Sequence, residues 1–208
     1  PPVSATILAA LGQIELHLSA RATPRERADA ALEQAVEQVI QVLGLDAFSR
    51  DGCRLEEVVG GLLAERGFRI ALAESCTGGL LTSRLTDVPG SSRYVERSVV
   101  AYANEAKTSL LDVPAALIAE HGAVSEPVAR AMAEGIRRKA AVDLGVGVTG
   151  IAGPTGGTAD KPVGTVAIAV AFPSGTRVRT FRFFGDREQV KFQASQAALD
   201  LVRRMLLQ

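Results

Sequence analysis

Two short apolar runs, RIALA at 69–73 and the stretch 141–149, each stop at a polar turn rich in glycine, ESCTGG and GIAGPTGG. Apolar runs this short, with helical spacing before and after them, read as strands buried on both faces of a sheet. Strands of that kind need helices packed above and below, which restricts the chain to an α/β layered fold. In such folds ligands bind where the strands end, so the two glycine-rich turns also mark where chemistry belongs.

The remaining segments follow the same grammar. Leu55, Val58, Val59, Leu62 and Leu63 line a helix that stops at Gly67, and a helix is expected to start near Gly78. VERSVVAYA reads as a strand, leading into NEAKTSLLDV; VPAALIAEHG and SEPVARAMAEGIRRKA are helical by spacing, with Ser125 and Pro127 marking a start. GTVAIAVAF and TRVRTFRFF flank the turn Pro173-Ser174-Gly175 and form a hairpin, and the chain ends in a long amphipathic helix. The expected fold is a three-layer α/β/α sandwich with a mixed sheet over residues 51–208, preceded by a small α/β fragment.

That fragment, residues 1–50, shows a half-buried strand in which Ile14, Leu16 and Leu18 alternate with polar residues. A helix follows, with Thr23 as expected N-cap, Pro24 in the first helical position, an apolar stripe from Leu32 to Leu43, and Gly44 as its stop. Residues 46–54 are the expected joint.

Composition narrows the function. Lys plus Arg and Asp plus Glu both number 23, so no basic excess is available to hold a nucleic-acid backbone. Two cysteines and two histidines cannot build a zinc cluster, and cysteine usage fits a reducing cytosol. No apolar run is long enough to span a bilayer. A cytoplasmic protein without a metal, cofactor, nucleic-acid or membrane partner is expected.

Ser75, at the mouth of the first strand-terminal turn, is a candidate nucleophile. Gly78 and Gly79 would let a ligand approach the backbone, where the amide groups from Thr77 to Gly79 favour an anion or a developing oxyanion. Ser75 or Thr77 could equally cap the helix. Lys107, early in a helix beyond the strand carrying Tyr102, can return to the same sheet end and act as base for a serine without histidine. A solvated helix lysine is the competing reading. Thr149, Gly150 and Gly153 belong to the second turn, and Arg187 could meet a phosphate while Asp186 caps the last helix. Cys76 is either reactive at a helix end or small core packing. His121, at a helix end, is expected to serve the last carbonyls.

Six blocks carry a resemblance: AESCTGG at 73–79, YANEAK at 102–107, HGAVSEPVA at 121–129, GIAGPTGG at 150–157, KPVGTV at 161–166 and GDRE at 185–188. Together they resemble the C-terminal domain of the competence/damage-inducible CinA family over about residues 54–208. The preceding segment resembles the tail of the small middle domain of longer members. The resemblance implies hydrolysis of the carboxamide of nicotinamide mononucleotide to nicotinic acid mononucleotide and ammonia. It implies Ser75 as nucleophile, Lys107 as base, Tyr102 as an active-site tyrosine, Thr149 and Arg187 as substrate contacts, and a homodimer. A nucleotide-binding module with weak or no turnover is the alternative.

Overall fold

The computed structural model describes residues 1–10 and 12–208, which divide into two compact units, Pro1–Leu55 and Glu56–Gln208. In the first, β1 (Val3–Ala10) and β2 (Gln13–Ala20) form an antiparallel hairpin with Val3 opposite Ala20, and α1 (Arg25–Leu43) follows. The sequence reading found β2 and α1 but not β1. In VSATILAA small and large apolar residues sit next to one another, so no period of two emerges, and Ile7 and Leu8 are both exposed. The start of α1 also differs from expectation. Pro24 is extended at the N-cap with ψ 167° and no side chain caps the helix, so Thr23 has no such role. Gly44 does end it, at φ 53°, with its N–H on Ile40 O.

The second unit contains α2 (Leu55–Arg66) from its second residue on, β3 (Ile70–Glu74), α3 (Leu80–Thr86), β4 (Val95–Val100), α4 (Asn104–Leu111), α5 (Ala115–His121), α6 (Glu126–Ala140), β5 (Leu144–Gly150), β6 (Thr165–Phe172), β7 (Gly175–Arg182) and α7 (Arg187–Leu206). The sheet order is β4-β3-β5-β6-β7. β3 runs parallel to β4 and β5, whereas β6 and β7 are antiparallel to their neighbours, so the sheet is mixed, as expected. Phe172 pairs with Gly175, leaving a two-residue hairpin loop, Pro173-Ser174. The strand expected from residue 141 begins at Leu144, because Ala141 ends α6 in the left-handed region at φ 51°.

Register sorts the sheet into two unlike faces. Ala73, Gly147 and Ala169 are cross-strand neighbours on one face; Leu72, Val146 and Val170 are neighbours on the other. The small-residue face receives α6, whose Ala129 and Ala133 pack on Ala167, Ala169 and Ala171. Contact is backbone-close: a Cβ on Gly145 would collide with Ala133 O, and one on Gly147 with Ala129 O. Val128, Met132 and Ile136 extend this layer over Ala71, Ala73, Leu111 and Val113. On the large-residue face, Arg84 of α3 reaches Glu56 of α2 at 2.7 Å and Ser195 and Gln196 of α7 at 2.8 and 2.6 Å, and its guanidinium lies over the Phe192 ring. Among the described residues no helix is long and apolar enough to cross a membrane.

Candidate active site

β3 is buried along its whole length, yet its last residue is Glu74, which has no exposed surface. Leu72 and Glu74 share the face that receives α3, so the carboxylate is carried under that helix's N-terminus. Gly79 N, Leu81 N and Thr82 N donate to it at 3.0, 3.1 and 2.8 Å, and Thr82 Oγ1 donates at 2.5 Å. An internal carboxylate thus satisfies the amides that a helix start leaves free and complements its dipole. The helix begins at Leu80, two residues later than expected, because Gly78 and Gly79 occupy the left-handed region at φ 62° and 93°. Those two glycines let the chain turn tightly between strand and helix, and Ser75 sits at the start of that turn.

Lys107 meets Ser75 there. Ala101 N donates to Glu74 O at 2.8 Å, which locks the end of β4 beside the end of β3. α4 starts three residues later and its first turn folds Lys107 back toward the sheet. The Lys107 Nζ lies 3.1 Å from Ser75 Oγ, 3.0 Å from Ala101 O and 3.2 Å from Tyr102 O, with Lys107 1% and Ser75 7% exposed. Burial pulls the Lys107 amine below the ordinary lysine value, against the opposing influence of Cys76 and Glu105. A neutral amine has two N–H groups and one lone pair. The two carbonyls take the N–H groups, which leaves the lone pair for the Ser75 hydroxyl proton.

The turn also holds unused donors. Gly78 N donates to Ser75 O, and Gly79 N is held by Glu74, so the glycine amides expected to receive an anion are engaged. The Cys76 N–H is turned onto its own Sγ, whereas among the described residues the Thr77 N–H has no backbone acceptor and the buried Thr77 Oγ1 has no hydrogen-bond partner. These Thr77 groups, next to Ser75, are the free polar groups of the turn. Cys76 is buried and burial pushes its thiol up to about 12, so it is core packing and not a thiolate. Its Sγ lies beside Gly150, where an added Cβ would come within 2.9 Å.

Tyr102 and Arg187 adjoin this pair, and the remaining candidates make contacts of their own. Tyr102 is 57% exposed; its carbonyl, not its phenol, steadies Lys107, and its hydroxyl accepts from Arg187 Nη2 at 2.6 Å. Arg187 Nη1 donates to Gly153 O at 2.9 Å, so one guanidinium joins the Tyr102 strand end to the second glycine loop. Gly153 has φ 81° and packs on Val163. Thr149 is 1% exposed and donates to Ala123 O at 2.8 Å, holding the loop before α6. Asp186 caps α7 reciprocally with Gln189. His121 contributes through its backbone: its carbonyl accepts from Lys161 Nζ at 2.6 Å. Sequence reasoning gave no role to Glu74 or to Lys191, whose Nζ lies 3.7 Å from where a Gly78 Cβ would stand.

A mixed-sheet α/β/α domain with a buried serine–lysine pair at a strand-terminal turn defines the class. The sequence model described as the CinA C-terminal domain matches residues 53–206, and the chain belongs to the CinA family. It is 53% identical over 205 residues to a CinA-like protein of Koribacter versatilis, covering 99% of this chain and 50% of that protein. A putative competence-damage inducible protein of Symbiobacterium thermophilum is 47% identical over 208 residues, covering 96% of this chain and 49% of that protein. The chain therefore spans about half the length of the curated relatives it matches. Among solved structures, a CinA superfamily protein of Klebsiella pneumoniae superimposes with TM-score 0.71 at 37% identity, over 74% of this chain and 96% of that one. A competence/damage-inducible protein of Agrobacterium tumefaciens does so with TM-score 0.72 at 36% identity, over 74% and 94%.

Proposed function

We propose that this domain hydrolyses the carboxamide of nicotinamide mononucleotide, releasing ammonia and nicotinic acid mononucleotide. The observation that carries the reading is the 3.1 Å approach of the buried Lys107 amine to Ser75 Oγ. Membership of the CinA family accords with a nucleotide-binding or hydrolytic role.

Neutral Lys107 takes the Ser75 proton as Oγ bonds to the amide carbon. The carbonyl oxygen becomes an oxyanion, for which the Thr77 N–H is the available donor, joined by the Cys76 N–H once it leaves its own thiol. Lys107 returns its proton to the amide nitrogen, the C–N bond breaks, and ammonia leaves. Water then attacks the acyl-enzyme, Lys107 again takes the proton, and the C–O bond to Ser75 breaks as Oγ is reprotonated. The substrate assists in two ways. Its cationic pyridinium withdraws electrons from the carboxamide, and a cation near Lys107 favours the neutral amine.

Ammonia release from nicotinamide mononucleotide, nicotinamide riboside and nicotinamide, with wild type and Ser75→Ala, tests this. Turnover confined to wild type and strongest on the mononucleotide is expected. Binding of the mononucleotide without ammonia from any substrate would instead identify a nucleotide-binding module.

A further inference from the structure

Lys191 has no part in the hydrolytic scheme, yet it sits beside the turn that performs it. Its Nζ lies 3.7 Å from the position of a Gly78 Cβ, and Gly78 N is hydrogen-bonded to Ser75 O at 3.0 Å. The side chain is half-buried. Lys107 is held by Ser75 and two carbonyls, Lys139 pairs with Asp112 at 2.7 Å, and Lys161 donates to His121 O. Among the described residues, Lys191 is the one lysine with no hydrogen bond and no ion pair. Glu188, three residues earlier on α7, makes no ion pair with it.

Lys191 lies four residues after Arg187, so both cations stand on one stripe of α7. Like charges at this spacing repel, and an anion between or across them removes the penalty. The helix end itself offers no alternative, because the Asp186 carboxylate accepts from Gln189 N and fills it. Arg187 is committed on two sides, to Gly153 O and Tyr102 Oη. The cation without a partner is Lys191, and it overhangs the turn bearing the nucleophile.

We propose that Lys191 is the principal phosphate ligand of the site, with Arg187 behind it, and selects a phosphorylated carboxamide over its nucleoside. This rests on the carboxamide-hydrolase reading above. A carboxamide at Ser75 and a phosphate at Lys191 place the two ends of one mononucleotide on either side of the Gly78-Gly79 turn. Lys191 acts on binding, whereas Ser75 and Lys107 act on the bond that breaks.

The test is the ratio of kcat/KM for nicotinamide mononucleotide to that for nicotinamide riboside, in wild type, Lys191→Ala and Lys191→Arg. Losing one charge-assisted contact lowers this ratio about 10- to 100-fold in Lys191→Ala, mainly through KM, and Lys191→Arg restores most of it. An unchanged ratio, or an equal loss on both substrates, overturns the proposal. If wild type releases no ammonia, the hydrolase reading fails and titration of the two ligands still decides the subsite. A selective loss of mononucleotide affinity in Lys191→Ala upholds it. Equal affinity in wild type and variant, or no binding by wild type, overturns it.

Discussion

Lys107 Nζ stands 3.1 Å from Ser75 Oγ, and among the described residues no carboxylate pairs with that amine. Two backbone carbonyls hold it instead. A lysine without a counter-ion, 1% exposed, is the arrangement that favours the neutral form needed of a base. On the proposed scheme the form with protonated Lys107 is inactive and the deprotonated form active. In the free enzyme kcat/KM should rise about tenfold per pH unit and level off. The midpoint lies below the ordinary lysine value of 10.5, because burial lowers the Lys107 pKa. A pH–rate profile checks this, and Lys107→Arg, which cannot deprotonate, should abolish turnover.

Glu74 holds the turn that bears Ser75 from beneath. Glu74→Gln keeps the shape but sets an NH2 group against a donor, since both carboxylate oxygens accept. Unfolding in urea should show a loss of about 2 kcal/mol. Displacement of Ser75 should lower kcat by about tenfold or more, given how steeply rates depend on alignment.

Tyr102→Phe separates the two parts of that residue. The carbonyl that steadies Lys107 is unaffected, and only the hydrogen bond to Arg187 is lost. A fall in kcat of no more than a few-fold is expected, whereas a phenol that protonated the departing ammonia would cost about 100-fold or more. Steady-state kinetics on the mononucleotide distinguishes the two.

Arg84 links α3 to α2 and α7 through Glu56, Ser195 and Gln196. Arg84→Met removes the cation from a buried network and should reduce stability by about 3 kcal/mol in chemical denaturation. Because α7 carries Arg187 and Lys191, mononucleotide affinity should weaken as well.

Much of this arrangement could be read from residue patterns. Short apolar runs stopping at polar turns gave the buried strands β3 and β5, and stripes such as Leu55, Val58, Val59, Leu62 and Leu63 gave helices. Asp186 stood out as a possible cap because it precedes a helical stripe. Residue pattern placed Ser75 at a strand end but left Lys107 open between base and solvated side chain. Which of these applies depends on β4 lying parallel beside β3, a long-range pairing that spacing does not encode. Family resemblance, not periodicity, favoured the base. Glu74 was harder to read: a carboxylate ending an all-apolar strand is a signal, but its target depends on how α3 returns over the sheet. Lys191 had a cue in its four-residue spacing from Arg187. The missed β1 has none, because its apolar residues show no alternation.

The most direct measurement is ammonia release from nicotinamide mononucleotide by purified wild type and Ser75→Ala, with folding of both checked by circular dichroism. The account predicts turnover by wild type and a loss of roughly 1,000-fold or more in the folded variant. Equal rates from the two proteins, or no ammonia from wild type, would contradict it.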